Sequence, residues 1–340
     1  MNVYDLDLEA LQSLLGTWSE PGYRARQIWE GLYHSLYSSW EQFTNLPKAL
    51  RGRLHAELAM DAVVPAAAVE SSDRQTRKLA FSLGDGLKVE TVLMRYAHRA
   101  TVCVSTQVGC AMGCVFCATG QMGFRRNLSS GEIVAQVLYF ARELRGKGQR
   151  LTNAVIMGMG EPFHNYQSTM AAIDRLNDSA GFGFGERRFT ISTVGLPPMI
   201  RRFADEHRQI NLAISLHAAS DELRAGMLPV NRRYPIHEVL EACRYYTNVT
   251  GRRVSFEWAL VRGVNDSVDQ ARQLGALLRG MLCHVNAIPL NPTQGYVGEA
   301  SRQAAAREFK AALQGAGVSC TIRLRRGVEI MAGCGQLVCE

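Results

Sequence analysis

Cys110, Cys114 and Cys117 are separated by three and then two residues, in Val-Gly-Cys110-Ala-Met-Gly-Cys114-Val-Phe-Cys117-Ala-Thr-Gly. Four thiolates normally close a structural zinc site or complete an iron–sulfur cluster. Three leave one metal position open, and an open position is where a small molecule can bind and react. Cysteines used as small hydrophobes have no reason to gather in one loop. The residues alone leave a second reading: zinc on the same three thiolates, with Cys103 as the fourth ligand. One more thiol stands out. Cys334 lies near the C-terminus between glycines, in Met-Ala-Gly-Cys334-Gly-Gln-Leu. That setting predicts a flexible, accessible and reactive thiol. Cys243, Cys283 and Cys320 fall inside expected helices or strands and read as packing.

Other polar groups recur where apolar runs end. Gly158-Met159-Gly160-Glu161-Pro162 follows one such run. Glycines there let the backbone approach a ligand closely, and Glu161 supplies an acceptor. Ser192 ends another run, Ser215-Leu216-His217 the next, and Asn291 follows a later one in Pro-Leu-Asn291-Pro. A lone serine or histidine is more often a cap or a satisfied core group. A shared position at strand ends is what points to a site.

These residues need a scaffold that brings strand ends together. From about residue 98, short apolar strands alternate with helices. The strands are expected at 100–105, 153–157, 188–192, 211–215, 254–258 and 284–289, and a last one at 319–324. Ser129-x-x-Glu132 has the form of a capping box opening a helix through Ile133, Val137, Phe140 and Leu144. Six strand–helix units at this spacing imply a parallel α/β barrel two units short of eight. In such barrels chemistry sits at the C-terminal strand ends, and the cysteine loop follows the first strand. Before it, residues 77–95 alternate with period two around Gly84-Asp85-Gly86, a hairpin signal. Glu90 lies on its second strand, facing away from Val89 and Thr91. Residues 1 to about 65 read as helical, with apolar stripes at Leu8, Leu11, Leu14 and Leu15 and at Ile28, Trp29, Leu32 and Tyr33. The expected organisation is a helical accessory domain at 1–76, a β-hairpin extension carrying Glu90 at 77–97, the barrel at 98–325, and a tail carrying Cys334 at 326–340.

Composition bounds the partners. Hydrophobic residues make up 47% and charged residues 20% of 340, the balance of a globular protein. No apolar run is long enough to span a bilayer, and the N-terminus lacks the form of a signal peptide. Nine cysteines, an odd number at irregular spacing, suit a reducing cytoplasm. The net charge of +7 and the pairs Arg125-Arg126, Arg187-Arg188, Arg201-Arg202, Arg232-Arg233, Arg252-Arg253 and Arg325-Arg326 suit a polyanion. A merely solvated surface would account for them equally well.

Together these motifs resemble one family. The cysteine spacing is that of the radical S-adenosylmethionine (SAM) superfamily. Tyr23-Arg-Ala-Arg-Gln-Ile-Trp29, Thr44-Asn-Leu-Pro-Lys-Ala-Leu-Arg51 and Glu90-Thr-Val fit one group within it. So do Cys103-Val-Ser-Thr-Gln-Val-Gly-Cys110, Arg126-Asn-Leu, Gly-Met-Gly160-Glu-Pro-Phe-His-Asn-Tyr166, Ser215-Leu-His, Gly263-Val-Asn-Asp and Cys334-Gly-Gln-Leu. The chain resembles the RlmN and Cfr radical SAM RNA methyltransferases, RlmN above all, from about residue 22 to 337. That resemblance implies a partial (βα)6 radical-SAM barrel. It implies one 4Fe-4S cluster on Cys110, Cys114 and Cys117, and SAM bound through Gly160, Glu161, Ser192, Ser215, Leu216, His217 and Asn291. It implies methylation of adenosine C2 in 23S rRNA and in tRNA, using two SAM molecules per turnover. Cys334 would be methylated first and would then carry the carbon to the base. Glu90 would remove the ring proton, and Cys103 would release the RNA by forming a disulfide with Cys334. An electron donor such as a flavodoxin system, a monomeric state, no membrane and a cytoplasmic setting complete the expectation. Methylation at C8, as in Cfr, or a non-catalytic zinc-bearing RNA-binding module are the alternatives.

Overall fold

The computed structural model describes residues 1–338; the last two residues of the expected tail lie outside it. The strands are β1 (Val64–Glu70), β2 (Thr76–Ser82), β3 (Lys88–Tyr96), β4 (Arg99–Cys103), β5 (Gln107–Gly109), β6 (Phe124–Asn127), β7 (Asn153–Ile156), β8 (Phe189–Thr193), β9 (Asn211–Ser215), β10 (Val254–Leu260), β11 (Cys283–Pro289) and β12 (Cys320–Ile322). Ten of them form one sheet in the order β1-β2-β3-β4-β7-β8-β9-β10-β11-β12. From β4 onward every neighbour is parallel, and β1 to β4 are antiparallel. Sequential parallel order is what strand–helix units wound in one sense produce. The sheet ends at β1 and β12 without joining them, so the barrel stays open on one side.

The strands alternate in a way that makes room for a ligand. Thr190 and Ser192 of β8, Ser255, Glu257 and Ala259 of β10, and Asn286 of β11 face a central cavity. Their neighbours Phe189 and Ile191, Val254, Phe256, Trp258 and Leu260, and Val285 and Ala287 are buried. The apolar set packs outward on the helices; the Trp258 ring lies 5.5 Å from Phe309 of helix 303–315. Period-two alternation thus sends the hydrophobic driving force to the helix layer and leaves small polar groups inside.

The helix expected from Ser129 is present at 130–146. Ser129 Oγ accepts from Glu132 N, and the Glu132 carboxylate accepts from Ser129 N. The hairpin at 77–95 is present as β2 and β3, but it is not a separate extension. β3 pairs with β4, placing Val92 opposite Cys103, so hairpin and barrel share one sheet. Residues 64–70, expected to close the helical region, form β1. This edge strand is exposed along its whole length, so it shows no alternation, and Pro65 is tolerated at an edge where its missing N–H opposes nothing. β5 and β6 were not anticipated either; they form a two-stranded sheet that brackets the cysteine loop.

The N-terminal helices pack on the outside of the barrel through arginines. Arg175 of helix 166–177 is buried and donates to Tyr4 O at 2.6 Å, Asp5 O at 2.8 Å and Ser130 Oγ at 2.7 Å. Arg142 donates to Leu36 O, Tyr37 O and the Tyr4 hydroxyl. Trp29 Nε1 donates to Asp178 at 2.8 Å. Part of the basic composition is therefore structural. Arg175→Met would leave the buried Tyr4 carbonyl and the partly buried Asp5 carbonyl without this donor, at a cost on the order of 3 kcal/mol. The expected outcome is a lower urea midpoint and faster tryptic release of the first sixty or so residues; an unchanged midpoint would contradict this role.

Candidate active site

The cysteine loop, the parallel strand ends and the C-terminal segment meet around one cavity of ≈ 1030 Å³. Cys110, Cys114 and Cys117 line it at the top, with Cys103 on the wall and Cys334 on the terminal segment. Cys117 N donates to Cys114 O, folding the loop back on itself, and Ala118 N donates to Gly335 O at 2.8 Å, joining loop to tail. Burial pushes the Cys110 thiol up to about 12 and raises Cys114 well above its usual range; the neighbouring thiols and Glu161 push the same way. Without a metal these thiols keep their protons, and a cationic centre displaces them.

Glu161 sits where β7 turns into its loop. Its carboxylate accepts from Phe163 N and Val194 N at 2.9 Å each, so it ties the end of β7 to the end of β8. Burial lifts its pKa to about 7 against these hydrogen bonds. Gly160 has φ +100, and a Cβ there would meet Gln107 Cβ at 2.5 Å, so only glycine fits. Ser192 and Ser215 face each other across the cavity wall with their hydroxyls 3.5 Å apart. His217 has φ +61 and accepts on Nδ1 from Ala259 N at 2.9 Å. Its Nε2 therefore carries the hydrogen, and the ring stands edge-on to Phe116 at 5.0 Å. Burial and the Arg224 guanidinium push its pKa from 6.5 down to about 3, so the ring is neutral.

Asn291 Nδ2 donates to Cys334 O at 3.0 Å, while its Oδ1 is buried and has no partner among the described residues. An orphaned acceptor on a cavity wall, beside a carboxylate and two hydroxyls, suits a ligand bearing an ammonium group. Three thiols, this acceptor and Glu161 fit a sulfur-held cluster with an amino-acid ligand. They fit a single ion poorly: among the described residues no three His, Cys, Asp or Glu side chains stand close enough to hold one.

Two of the expected residues are not on the cavity wall. Leu216 is fully buried, its N–H donating to Glu257 O and its carbonyl accepting from Arg224. Glu90 shares a face of β3 with Val92, Met94 and Tyr96, which do line the cavity, but the terminal segment covers it. Its carboxylate pairs with Lys78 Nζ at 2.8 Å and accepts from Val338 N at 2.8 Å. Burial raises its pKa while Lys78 opposes the rise. Cys334 is exposed, as expected of an accessible thiol, while its backbone is held by Asn291. Its side chain is open to the cavity but walled in by protein, and that enclosure, with Cys103, Glu257 and Cys117 nearby, pushes it up to about 12.

Several site residues were not foreseen. Glu257 and Asn286 are bonded to each other at 2.8 Å on the cavity floor. Fully buried Arg224 donates to Val194 O, Leu216 O and Asn231 Oδ1 beneath the strand ends. Asn265 donates to His217 O and Ala259 O, holding the left-handed turn. Only Asn265 had a signal, in Gly263-Val-Asn-Asp. At the open side Arg99, Arg252, Arg253, Arg323, Arg325 and Arg326 rim the cavity. Arg99 and Arg326 lie 4.2 and 4.4 Å from the Tyr96 ring centroid, and Arg99 and Arg253 form no ion pair among the described residues. Of the basic pairs, those at 252–253 and 325–326 reach the site, whereas Arg126 is spent on Asp85 and Glu132 and Arg202 on Glu206.

Residues 104–274 match the radical SAM superfamily, and residues 1–60 match the ribosomal RNA large subunit methyltransferase N-terminal domain. The dual-specificity RNA methyltransferase RlmN 1 of Myxococcus xanthus is 50% identical over 336 residues, covering 99% of this chain and 94% of that protein. The chain belongs to the RlmN family of radical SAM methyltransferases. The crystal structure of a radical SAM methyltransferase from Sphaerobacter thermophilus superposes with a TM-score of 0.98 at 50% identity, covering 100% of both chains. This is a SAM-dependent enzyme, and membership brings with it a 4Fe-4S cluster and SAM as cofactors. No helix among the described residues is long and apolar enough to cross a membrane.

The depressed His217 pKa gives a signed expectation. Below pH 6.5 the unfolded histidine takes up a proton that the folded one refuses, so stability is lost as pH falls from 6.5 toward 3. His217→Gln removes that loss. Relative to the parent, the cluster-free variant should gain about 2 kcal/mol between about pH 6 and pH 4.5, from ~1.4 kcal/mol per unit of unmatched proton uptake. Parallel urea titrations at both pH values would show it, and a pH-independent difference would contradict a neutral buried ring.

Proposed function

We propose that this enzyme methylates C2 of a specific adenosine in 23S rRNA and of an adenosine in tRNA, with Cys334 as the covalent carrier of the methyl carbon. The observation that carries the reading is the meeting of Cys103 and Cys334 on one cavity with the three loop cysteines. A cluster site needs three of these five thiols, and the other two are left facing the same space, Cys103 near enough for its charge to push the Cys334 thiol up.

On this reading Cys110, Cys114 and Cys117 hold the cluster, and Gly160, Glu161, Ser192, Ser215, the Leu216 backbone, His217 and Asn291 hold SAM. The bound cofactors supply the methyl group, one electron from a flavodoxin-type donor, and hydrogen-abstracting radical chemistry that two SAM molecules per turnover can provide. C2 of adenine carries no acidic proton, so transfer of a methyl cation to it is blocked, and a protein-bound carbon must be delivered instead. Cys334 sulfur bears that carbon and becomes joined to the base through it. Glu90 accepts the ring proton. With the adduct's unpaired electron given back and the ring proton gone, the deprotonated Cys103 sulfur attacks Cys334 sulfur; the new S–S bond replaces the S–C bond, the released electron pair stays on the carbon, which takes up a proton, and the RNA leaves methylated. The neutral His217 and the hydroxyls of Ser192 and Ser215 keep the cavity wall polar without adding charge to it.

RNA enters from the open side of the barrel. The arginine rim would contact phosphates, making binding steeply salt-dependent, and Tyr96 offers a ring for stacking. The target adenine must leave its stack to reach the cavity. Residues 1–76 serve as an accessory RNA-binding region, residues 326–340 as the catalytic tail, and the enzyme works as a cytoplasmic monomer.

The decisive test compares three proteins reconstituted with cluster, SAM and RNA. The parent should yield 2-methyladenosine by nucleoside mass spectrometry. Cys103→Ala should methylate Cys334 yet accumulate a protein–RNA adduct on a denaturing gel, because nothing attacks the Cys334 sulfur. Cys334→Ala should form no adduct. Normal turnover by Cys103→Ala, or 8-methyladenosine from the parent, would overturn the reading.

A further inference from the structure

Glu90 is separated from the cavity by the terminal segment, and the group that holds it there also holds that segment. Lys78 Nζ lies 2.8 Å from Glu90 Oε1 and 3.1 Å from Met331 O. Glu90 Oε2 accepts from Val338 N at 2.8 Å. One buried ion pair therefore grips the segment on both sides of Cys334. Lys78 and Glu90 are both buried at their charged ends, with side chains 12% and 7% exposed. Met331 has φ +52, a left-handed conformation that a non-glycine residue adopts at a cost. Its carbonyl is aimed at the ammonium, so the contact stabilises a backbone that would otherwise relax. β2 and β3 set the pair: Lys78 lies opposite Val92, one diagonal step from Glu90, in the register of the hairpin.

We propose that Lys78 is a positioning residue that couples the base Glu90 to the seating of residues 331–338, holding the carboxylate ready while the segment is in place and releasing it to the cavity when the segment withdraws. The proposal rests on the reading of Glu90 as base and Cys334 as carrier. It adds a physical reason for the placement of Glu90. Burial favours the protonated carboxyl, which could not take another proton; the ammonium beside it, 2.8 Å away, opposes that and favours the charged form. Because the same ammonium holds Met331, departure of the tail removes the Val338 cap from Glu90 Oε2. That frees an acceptor facing the cavity at the stage when Cys334 is tied to the RNA. Lys78 touches neither the cofactor nor the base in this arrangement; it acts through Glu90 and the tail.

The test uses full-length holoenzyme and the variants Lys78→Met, Lys78→Arg and Glu90→Gln. Hydrogen exchange of residues 331–338 is read by mass spectrometry without RNA. The protein–RNA adduct and Cys334 methylation are read with RNA and SAM. Lys78→Met should speed exchange of the segment about ten-fold, from the loss of charged hydrogen bonds. It should still methylate Cys334, and its adduct should decay at least about ten-fold more slowly, since the base is then held protonated. Lys78→Arg should restore most of both, which a lost packing contact would not explain. Unchanged exchange in Lys78→Met overturns the latch, and so does faster exchange with normal adduct decay, which would uncouple tail from base. Failure of the underlying reading shows elsewhere: Glu90→Gln would then release methylated RNA at the parental rate.

Discussion

The active site exists because the C-terminal segment is hydrogen-bonded to parts of the chain that come long before it. Thr119 Oγ1 donates to Leu337 O, Ala118 N to Gly335 O, Asn291 Nδ2 to Cys334 O, and Gln336 Nε2 to Pro292 O. Lys78 and Glu90 add the contacts from β2 and β3. The segment is therefore held by the cysteine loop, the loop after β11 and the antiparallel strands at once. Gly333 is the point of closest approach: a Cβ there would meet Asn291 Nδ2 and Gln336 Oε1 at 2.7 Å. Cys334 reaches the cavity because that glycine lets the backbone lie flat against Asn291. Each bond is worth on the order of 1 kcal/mol, while the Leu337 side chain is buried in the core and Lys78 and Glu90 add a buried ion pair. On the reading proposed above, a segment held by these few contacts is well placed when seated and can still be unseated, as a residue that visits a cofactor and then a nucleic acid requires.

Charge is arranged by depth. At the bottom of the strand ends Arg224 is fully buried, its guanidinium satisfied by carbonyls and pushed down to about 10. Around it the thiols and Glu161 are held toward their neutral forms, and His217 is neutral as well. The cavity thus waits in a low-charge state, and charge enters with its ligands. Only at the rim are arginines present in number. On the reading proposed above, a polyanion would be attracted to the opening without being drawn into the polar interior, and a single extracted base, itself uncharged, is what the interior would accept.

Much of this was legible in the sequence. The capping box at Ser129 and Glu132, the turn at 84–86, the strand at 211–215 and the thiols that line the cavity are where the pattern placed them, because each depends on local chemistry or on strict alternation. What escaped had no local signal. β1 is exposed throughout, so no side had to be apolar. β5 and β6 are short and exist to bracket a loop. Lys78 reads as an ordinary exposed lysine on an alternating strand, and its role appears only when a segment from the far end of the chain is laid across it. Glu90 lies where alternation placed it, on the face of its hairpin strand opposite Val89 and Thr91. That the tail would cover it is a tertiary fact. The basic pairs misled in part, since a guanidinium spent on the chain's own carboxylates, as Arg126 is on Asp85 and Glu132, looks the same in sequence as one that meets a phosphate.

The enclosure of Cys334 follows from the same geometry. A mobile terminal thiol would titrate in its ordinary range and react with any electrophile it met. Enclosed, and with Cys103, Glu257 and Cys117 nearby, the Cys334 thiol is pushed up to about 12, toward the protonated form. On the reading proposed above, withdrawal of the tail breaks hydrogen bonds made by residues that the next stage would use: Asn291 regains a free amide and Glu90 a free oxygen, so that an open-sided barrel with a short tail would serve a small cofactor and an RNA in turn from one cavity.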